Sequence, residues 1–357
     1  MTFTPSPTAL RPKKFEEVVG QDVAVRILRN SIGLNRVAAS YCLSGPPGIG
    51  KTTIARILGA ALNCRQATRP CGTCESCRDV QEGRSPWVVE VDAATERGVE
   101  MVEGLQEVVQ QVVPDGGWRV VIIDEAHQLT GKAWSAFLKV VEEPPPRTCF
   151  VFVTTDPSKV PDTIMTRSMR LQLRPVADAA IVEALQSYGF DPDVCRDIDD
   201  DVYRLIARQA RGSVRDALIL LDQLVLLGGH ITREVAEPLL GIDQESTRDL
   251  ADALTARDLG YYMTVLDRVA SRGMSFEEVA WTALRIARDF LVVKTAAWKG
   301  ELLSSLTVEA IERSVDLDEK SITSMLNSFK RLVDGRLMST RAGLEIAYVR
   351  YLHDLDG

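Results

Sequence analysis

Two short runs carry residues suited to work on a nucleotide. Gly45-Pro46-Pro47-Gly48-Ile49-Gly50-Lys51-Thr52 fills the pattern G-x-x-x-x-G-K-[ST] at every position. Its glycines let backbone N–H groups curl around phosphate oxygens. Lys51 would reach the β and γ phosphates of ATP and Thr52 would ligate Mg²⁺, with Thr53 next in the first helical turn. Downstream, Val120-Val121-Ile122-Ile123 ends in Asp124-Glu125-Ala126-His127. An apolar strand ending in two acids lifts both carboxylates to one edge of a sheet. There Asp124 would hold the Mg²⁺ shell and Glu125 would orient and polarise an attacking water. An acidic strand end alone is an ordinary surface feature, but behind a complete phosphate loop it predicts nucleotide hydrolysis.

Cys64, Cys71, Cys74 and Cys77 are separated by six, two and two residues, with Pro70 and Gly72 turning the chain between them. Four thiolates close a tetrahedral structural zinc site and leave no open position for chemistry. The C-x₂-C-x₂-C part also resembles an iron–sulfur run, yet the Cys-Pro that ends such runs is absent, so Zn²⁺ is favoured over a cluster or unligated thiols. Cys42, Cys149 and Cys195 are expected to be plain buried thiols.

Weaker signals surround these. Thr154 and Thr155 follow a strand pattern, where a hydroxyl could sense the γ-phosphate or merely cap a turn. Arg167 is a candidate arginine finger and Arg215, just inside a helix started by Ser213 and Asp216, could face nucleotide. Surface ion pairing is the plain alternative for both arginines. His127 is read as a packing or hydrogen-bonding residue.

The elements that must position these groups are legible in outline. Tyr41 to Ser44, Trp87 to Val91, Val120 to Ile123 and Phe150 to Val153 read as strands, and Lys51 to Asn63 as a helix with one buried face. Strands alternating with helices predict an α/β fold with a parallel sheet. After about Pro175 strand signals stop and helix follows helix, with a break near Gly241-Ile242-Asp243. Three domains are expected: 1–175 with the cysteine module at 64–77, a helical region at 176–241, and an all-α region at 242–357. In the last, Phe276 to Trp298 and Ala342 to Leu355 are heavily apolar helical patterns that suit either subunit packing or a plain core.

The 42 basic and 50 acidic residues give a net charge of −8, which excludes a histone-like basic coat and confines any nucleic-acid contact to local patches. No apolar run reaches the roughly 18 residues of a membrane span, and Met1 to Lys14 lacks the apolar core of a signal peptide, so a cytoplasmic protein without membrane contact is expected.

Further marks are Arg11-Pro12, Phe15, Val18-Val19-Gly20-Gln21, Asp92-Ala93-Ala94, Leu138-Lys139, Glu142-Glu143-Pro144-Pro145, Thr154-Thr155-Asp156-Pro157 and Gly212-Ser213-Val214-Arg215-Asp216-Ala217. With the phosphate loop, the cysteines and Asp124-Glu125, the chain resembles, nearly end to end, the gamma/tau subunits of the bacterial DNA polymerase III clamp loader, which are AAA+ ATPases. The resemblance implies a RecA-like P-loop domain, a lid carrying Arg215 as a sensor, and a helical collar through which subunits assemble. It implies Arg167 as a finger acting on a neighbour's nucleotide, Thr155 or Thr154 as the first sensor, and Val18-Val19 as the edge of the adenine pocket. Implied partners are delta and delta-prime subunits, further copies of the chain, a ring-shaped sliding clamp (beta) and primer–template DNA. Within that family this chain departs at Leu10, Ser168 and Pro46-Pro47, and at Glu96, Gly98 and Glu103, where residues facing DNA are usually basic; Arg97 and Lys139 remain as phosphate contacts. The sequence stops at Gly357, before any extension of the tau type. Two other functions compete: a non-catalytic partner like delta-prime, which intact Lys51, Thr52, Asp124 and Glu125 oppose, and a DNA-remodelling or branch-migration motor, which the cysteine insert opposes.

Overall fold

The computed structural model describes residues 6–111, 113, 116–188, 195–240, 244–296, 302, 304, 306, 311, 317–335 and 337–356. They form two compact units that divide after Arg233.

The first unit is built on five parallel strands: β1 (Ser40–Ser44), β2 (Val88–Asp92), β3 (Arg119–Asp124), β4 (Thr148–Thr154) and β5 (Met169–Gln172), in the order β2-β3-β4-β1-β5. The interior strands are continuous apolar runs because both faces are covered. Val120, Ile122, Val151 and Val153 pack with α2 (Asp22–Gly33) and α3 (Lys51–Asn63) on one side. Val121, Ile123, Phe150 and Phe152 pack on the other with α5 (Val99–Gln110) and α6 (Gly131–Glu142), where Phe137 meets Phe152 edge to face at 5.6 Å. The alternation along each strand therefore assigns side chains to two helical layers. Since all five strands run the same way, their carboxyl ends share one edge, which is where Ser44, Asp124 and Thr154 lie.

Three strands escape the sequence pattern. Edge strand β5 buries only Leu171 of its four residues, so no alternation marks it. The expectation that strands end near Pro175 is corrected by a two-stranded parallel sheet, β6 (Cys195–Ile198) with β7 (Gly229–Ile231). Both are too short and polar to read from sequence, and pairing across the helices between them supplies the backbone partners. Those helices are α9 (Asp200–Gln209) and α10 (Val214–Val225), preceded by α8 (Asp178–Ser187). Two short helices complete the first unit's frame for the site, α1 (Ser6–Ala9) and α7 (Asp162–Met165), and α4 (Glu75–Gln81) carries part of the cysteine run.

Past α11 (Arg233–Leu239), the second unit is helical in its described residues: α12 (Gln244–Thr255), α13 (Leu259–Ser271), α14 (Phe276–Ala296), α15 (Glu319–Val333) and α16 (Arg341–Asp356). Its core contains Val279, Ala283, Ile286 and Phe290 of α14 with Phe329 and Tyr348, and Tyr348 stacks on Tyr262 at 4.0 Å between ring centres. The expected apolar helices near 276 and 342 are α14 and α16; the break at Gly241-Ile242-Asp243 and Trp298 lie outside the described residues. Among the described residues no helix is long and apolar enough to cross a membrane.

Candidate functional site

The chain leaves buried β1, turns through Gly45 to Gly50 and enters α3 at Lys51. Gly50 sits at φ 100° as the residue preceding the helix, a left-handed position that favours glycine. Gly48, at φ 74°, is crowded as well, since a Cβ there would lie 1.9 Å from Ser213 Oγ. The loop thus packs directly against the start of α10, and Arg215 N–H donates to Gly48 O at 3.3 Å. Ser213 Oγ accepts from Asp216 N–H at 3.2 Å and caps that helix. Removing the cap in Ser213→Ala is expected to cost about 1 kcal/mol, a fall in Tm of roughly 2–4 °C readable by calorimetry.

Lys51 is buried, and its Nζ donates to Gly45 O at 2.8 Å and Pro46 O at 2.7 Å. Burial lowers its pKa, while the carboxylates of Glu125 and Asp124 work the other way. Thr52 Oγ1 donates to Asp124 Oδ2 at 2.8 Å, so the two nucleotide motifs, 72 residues apart, meet in one corner. A threonine hydroxyl beside a carboxylate is a hard oxygen donor set suited to Mg²⁺.

Glu125 occupies the left-handed region at φ 48°, uncommon for a residue with a side chain, at the turn where β3 ends. Its Oε2 accepts from Thr155 Oγ1 at 3.4 Å and lies 3.3 Å from His127 Nδ1. Thr154 is fully buried, accepting from Asp156 N–H at 3.0 Å and meeting His127 Nδ1 at 3.3 Å. Of the two threonines considered as sensors, Thr155 therefore touches the acid and Thr154 holds the turn.

A cavity of about 360 Å³ opens over this corner, lined by Val18, Val19, Pro47 to Thr53, Asp124, Glu125, Arg215 and residues whose role sequence alone had not assigned, Arg11 and Tyr188 among them. Only the Arg11-Pro12 pair hinted at them. Arg167 is absent from this lining. It is exposed and curls back, its Nη1 donating to Thr163 O at 2.9 Å and its Nη2 pairing with Glu142 Oε1 at 2.9 Å. Arg97 and Lys139 are exposed.

At the far end of α3 the four cysteines converge, each sulfur within 4.8 Å of the others, with Cys71 to Cys77 and Cys64 to Cys74 at 4.0 Å. A tetrahedral site with bonds near 2.3 Å needs sulfurs about 3.8 Å apart, so the set fits one metal ion. Backbone N–H groups of Thr73 and Cys74 point at Cys71 Sγ and pull that thiol down to about 6, while burial pushes Cys77 up. Cys42, Cys149 and Cys195 are buried away from the cluster.

A phosphate loop and a paired-acid strand end on a parallel sheet of this order, followed by lid helices, define a P-loop fold of the AAA+ type. Thermotoga maritima RuvB, a Holliday junction branch migration motor, shares that fold with a TM-score of 0.51 over 76% of this chain and 85% of its own, at 19% identity. Residues 20–177 match the family described as DNA polymerase III, delta subunit, and residues 196–230 match DNA polymerase III clamp loader subunit, ATPase lid domain. DNA polymerase III subunit gamma of Buchnera aphidicola is 34% identical across 77% of each chain, and subunit tau of Escherichia coli is 35% identical over 80% of this chain and 44% of its own. The chain belongs to the gamma/tau family of DNA polymerase III clamp-loader subunits. It spans less than half the length of the tau relatives of Escherichia coli and Salmonella typhimurium.

Proposed function

We propose that this chain is an ATP-hydrolysing motor subunit of a bacterial replicative clamp loader that opens the sliding clamp and places it on primer–template DNA. The observation that carries it is the meeting of Thr52 and Asp124 at 2.8 Å under a cavity closed by Lys51 and Glu125, in a chain of this family. Backbone N–H groups from Gly48 to Thr53 and the Lys51 ammonium would bind the phosphates, and Val18-Val19 would flank the adenine. Thr52 and Asp124 would hold Mg²⁺, which would supply positive charge to offset that developing on the phosphates. Glu125 Oε would accept the proton of the attacking water, with Thr155 fixing that carboxylate until the γ-phosphate competes for the hydroxyl. Arg215 would report occupancy to the lid. Zn²⁺ on Cys64, Cys71, Cys74 and Cys77 would staple the insert.

Residues 1–175, 176–241 and 242–357 are proposed as motor, lid and collar, the collar joining further copies of the chain with delta and delta-prime. Because Arg167 lies outside its own cavity, it would serve a neighbour's nucleotide after leaving Glu142. In an assembly reconstituted with delta and delta-prime subunits, hydrolysis is expected to need both sliding clamp and primed DNA for full stimulation. Arg167→Ala should leave ATP affinity within about twofold and lower the stimulated rate roughly a hundredfold or more. Hydrolysis in a confirmed assembly that ignores the clamp would favour the DNA-remodelling alternative, and hydrolysis unaltered by Arg167→Ala would remove the trans role.

A further inference from the structure

His127 lies between the two strand ends that frame the site, and the hydrolytic roles assigned above leave it without a task. It follows Glu125 in a single short turn, Ala126–Gln128, with only 10% of its side chain exposed. Its Nδ1 is 3.3 Å from Glu125 Oε2, where β3 ends, and 3.3 Å from Thr154 Oγ1, where β4 ends. On the other side of the ring, Nε2 is 3.2 Å from Gln128 Nε2. One imidazole thus ties the acid of one strand to the hydroxyl of the next.

These neighbours fix where the ring proton sits. A side-chain amide nitrogen has only hydrogens to offer, so Gln128 donates to Nε2. Neutral imidazole then carries its one N–H at Nδ1, within reach of a carboxylate oxygen that can only accept. Thr154 Oγ1, which already accepts from Asp156 N–H at 3.0 Å, has a second lone pair to share that hydrogen. The wall behind the ring is firm. Thr154 is fully buried, and its carbonyl accepts from Gly45 N–H at 3.3 Å, which ties it to the phosphate loop.

The Glu125 carboxylate needs such a brace, because its side chain is 38% exposed and its backbone turns through φ 48°. Its other donor, Thr155 Oγ1 at 3.4 Å, is the hydroxyl for which a γ-phosphate would compete. The imidazole N–H is the tether that remains once nucleotide is in place. Pinning Oε2 leaves Oε1 to take the proton of the water. We infer that His127 is a positioning residue for the hydrolytic base, its Nδ1–H holding Glu125 Oε2 against the wall made by Thr154. This rests on the role of Glu125 proposed above.

The test measures kcat and KM for ATP in the assembly reconstituted with delta and delta-prime subunits, sliding clamp and primed DNA, with thermal melting of each variant chain as the folding control. His127→Ala should lower kcat about tenfold and leave KM within about twofold, since an aimed base matters only in the transition state. Asparagine and glutamine separate the two ring nitrogens. His127→Asn sets an amide nitrogen where Nδ1 stands and should recover kcat to within about threefold of the parent, whereas His127→Gln reaches out to the level of Nε2 and should fall as far as alanine. That pair serves if His127→Ala fails to fold. Glu125→Gln should itself be about a hundredfold slower or more, and adding His127→Ala to it should change kcat by less than about twofold, because the histidine acts only through the carboxylate.

A loss in kcat alone, recovered by asparagine and not by glutamine and absent behind Glu125→Gln, would establish the inference. An unchanged kcat in His127→Ala, a loss carried by KM, equal rates in the asparagine and glutamine variants, or a loss that multiplies with Glu125→Gln would overturn it while leaving Glu125 as the base. A parent-like rate in Glu125→Gln, or a parent assembly that fails to hydrolyse ATP, would overturn both.

Discussion

Lys51→Ala is expected to remove measurable ATP affinity. The ammonium is buried between the carbonyls of Gly45 and Pro46 on one side and the acids Asp124 and Glu125 on the other. It is the cation placed to offset a triphosphate entering a cavity that already holds two carboxylates. Without it, incoming phosphates face Asp124 and Glu125 with only backbone dipoles and the more distant arginines to balance them. A lost charge-assisted contact of about 3 kcal/mol corresponds to more than a hundredfold in affinity. Titration calorimetry with ATP and Mg²⁺ measures it directly, and affinity within threefold of the parent chain would remove the site assignment.

The second large effect concerns the cysteines. Metal analysis of the purified chain is expected to give one zinc per molecule, lost in Cys77→Ser. Cys77 is fully buried, so serine both removes a thiolate ligand and places a hydroxyl among sulfurs. A loss of roughly 3–5 kcal/mol at about 2–4 °C per kcal/mol predicts a fall in Tm near 10 °C for the first unit. The cluster begins where α3 ends, and 13 residues of helix at 1.5 Å each put it about 20 Å from Lys51. ATP affinity of the folded fraction should therefore stay within a few fold of the parent. A coloured, iron-containing protein would overturn the choice of metal, and an unchanged Tm would show that the insert does not staple the fold.

The cysteine and phosphate-loop predictions differ in how far the chain must fold before their residues meet. Cys64 to Cys77 is a short stretch that turns back on itself, and the phosphate loop is a single strand-to-helix turn, so their spacing already constrains the geometry. Arg167 is the opposite case. Its place in the chain marks it as a finger candidate, but that it is parked on Glu142, at the end of a different helix, follows only from packing α6 against the residues after Pro161.

By itself the sequence determined the parallel α/β class, the interior strands, the phosphate loop, the acid pair and the grouping of four cysteines, because each is a local pattern whose chemistry depends on neighbours in the chain. Tertiary structure alone decided the strand order, the edge strand β5, the small β6–β7 sheet, which of Thr154 and Thr155 touches Glu125, and the entry of Arg11 into the cavity. In those cases the stabilising partner is remote in sequence. Polar, short or exposed segments carry no periodic imprint of a contact made only when distant backbone and side chains are brought together.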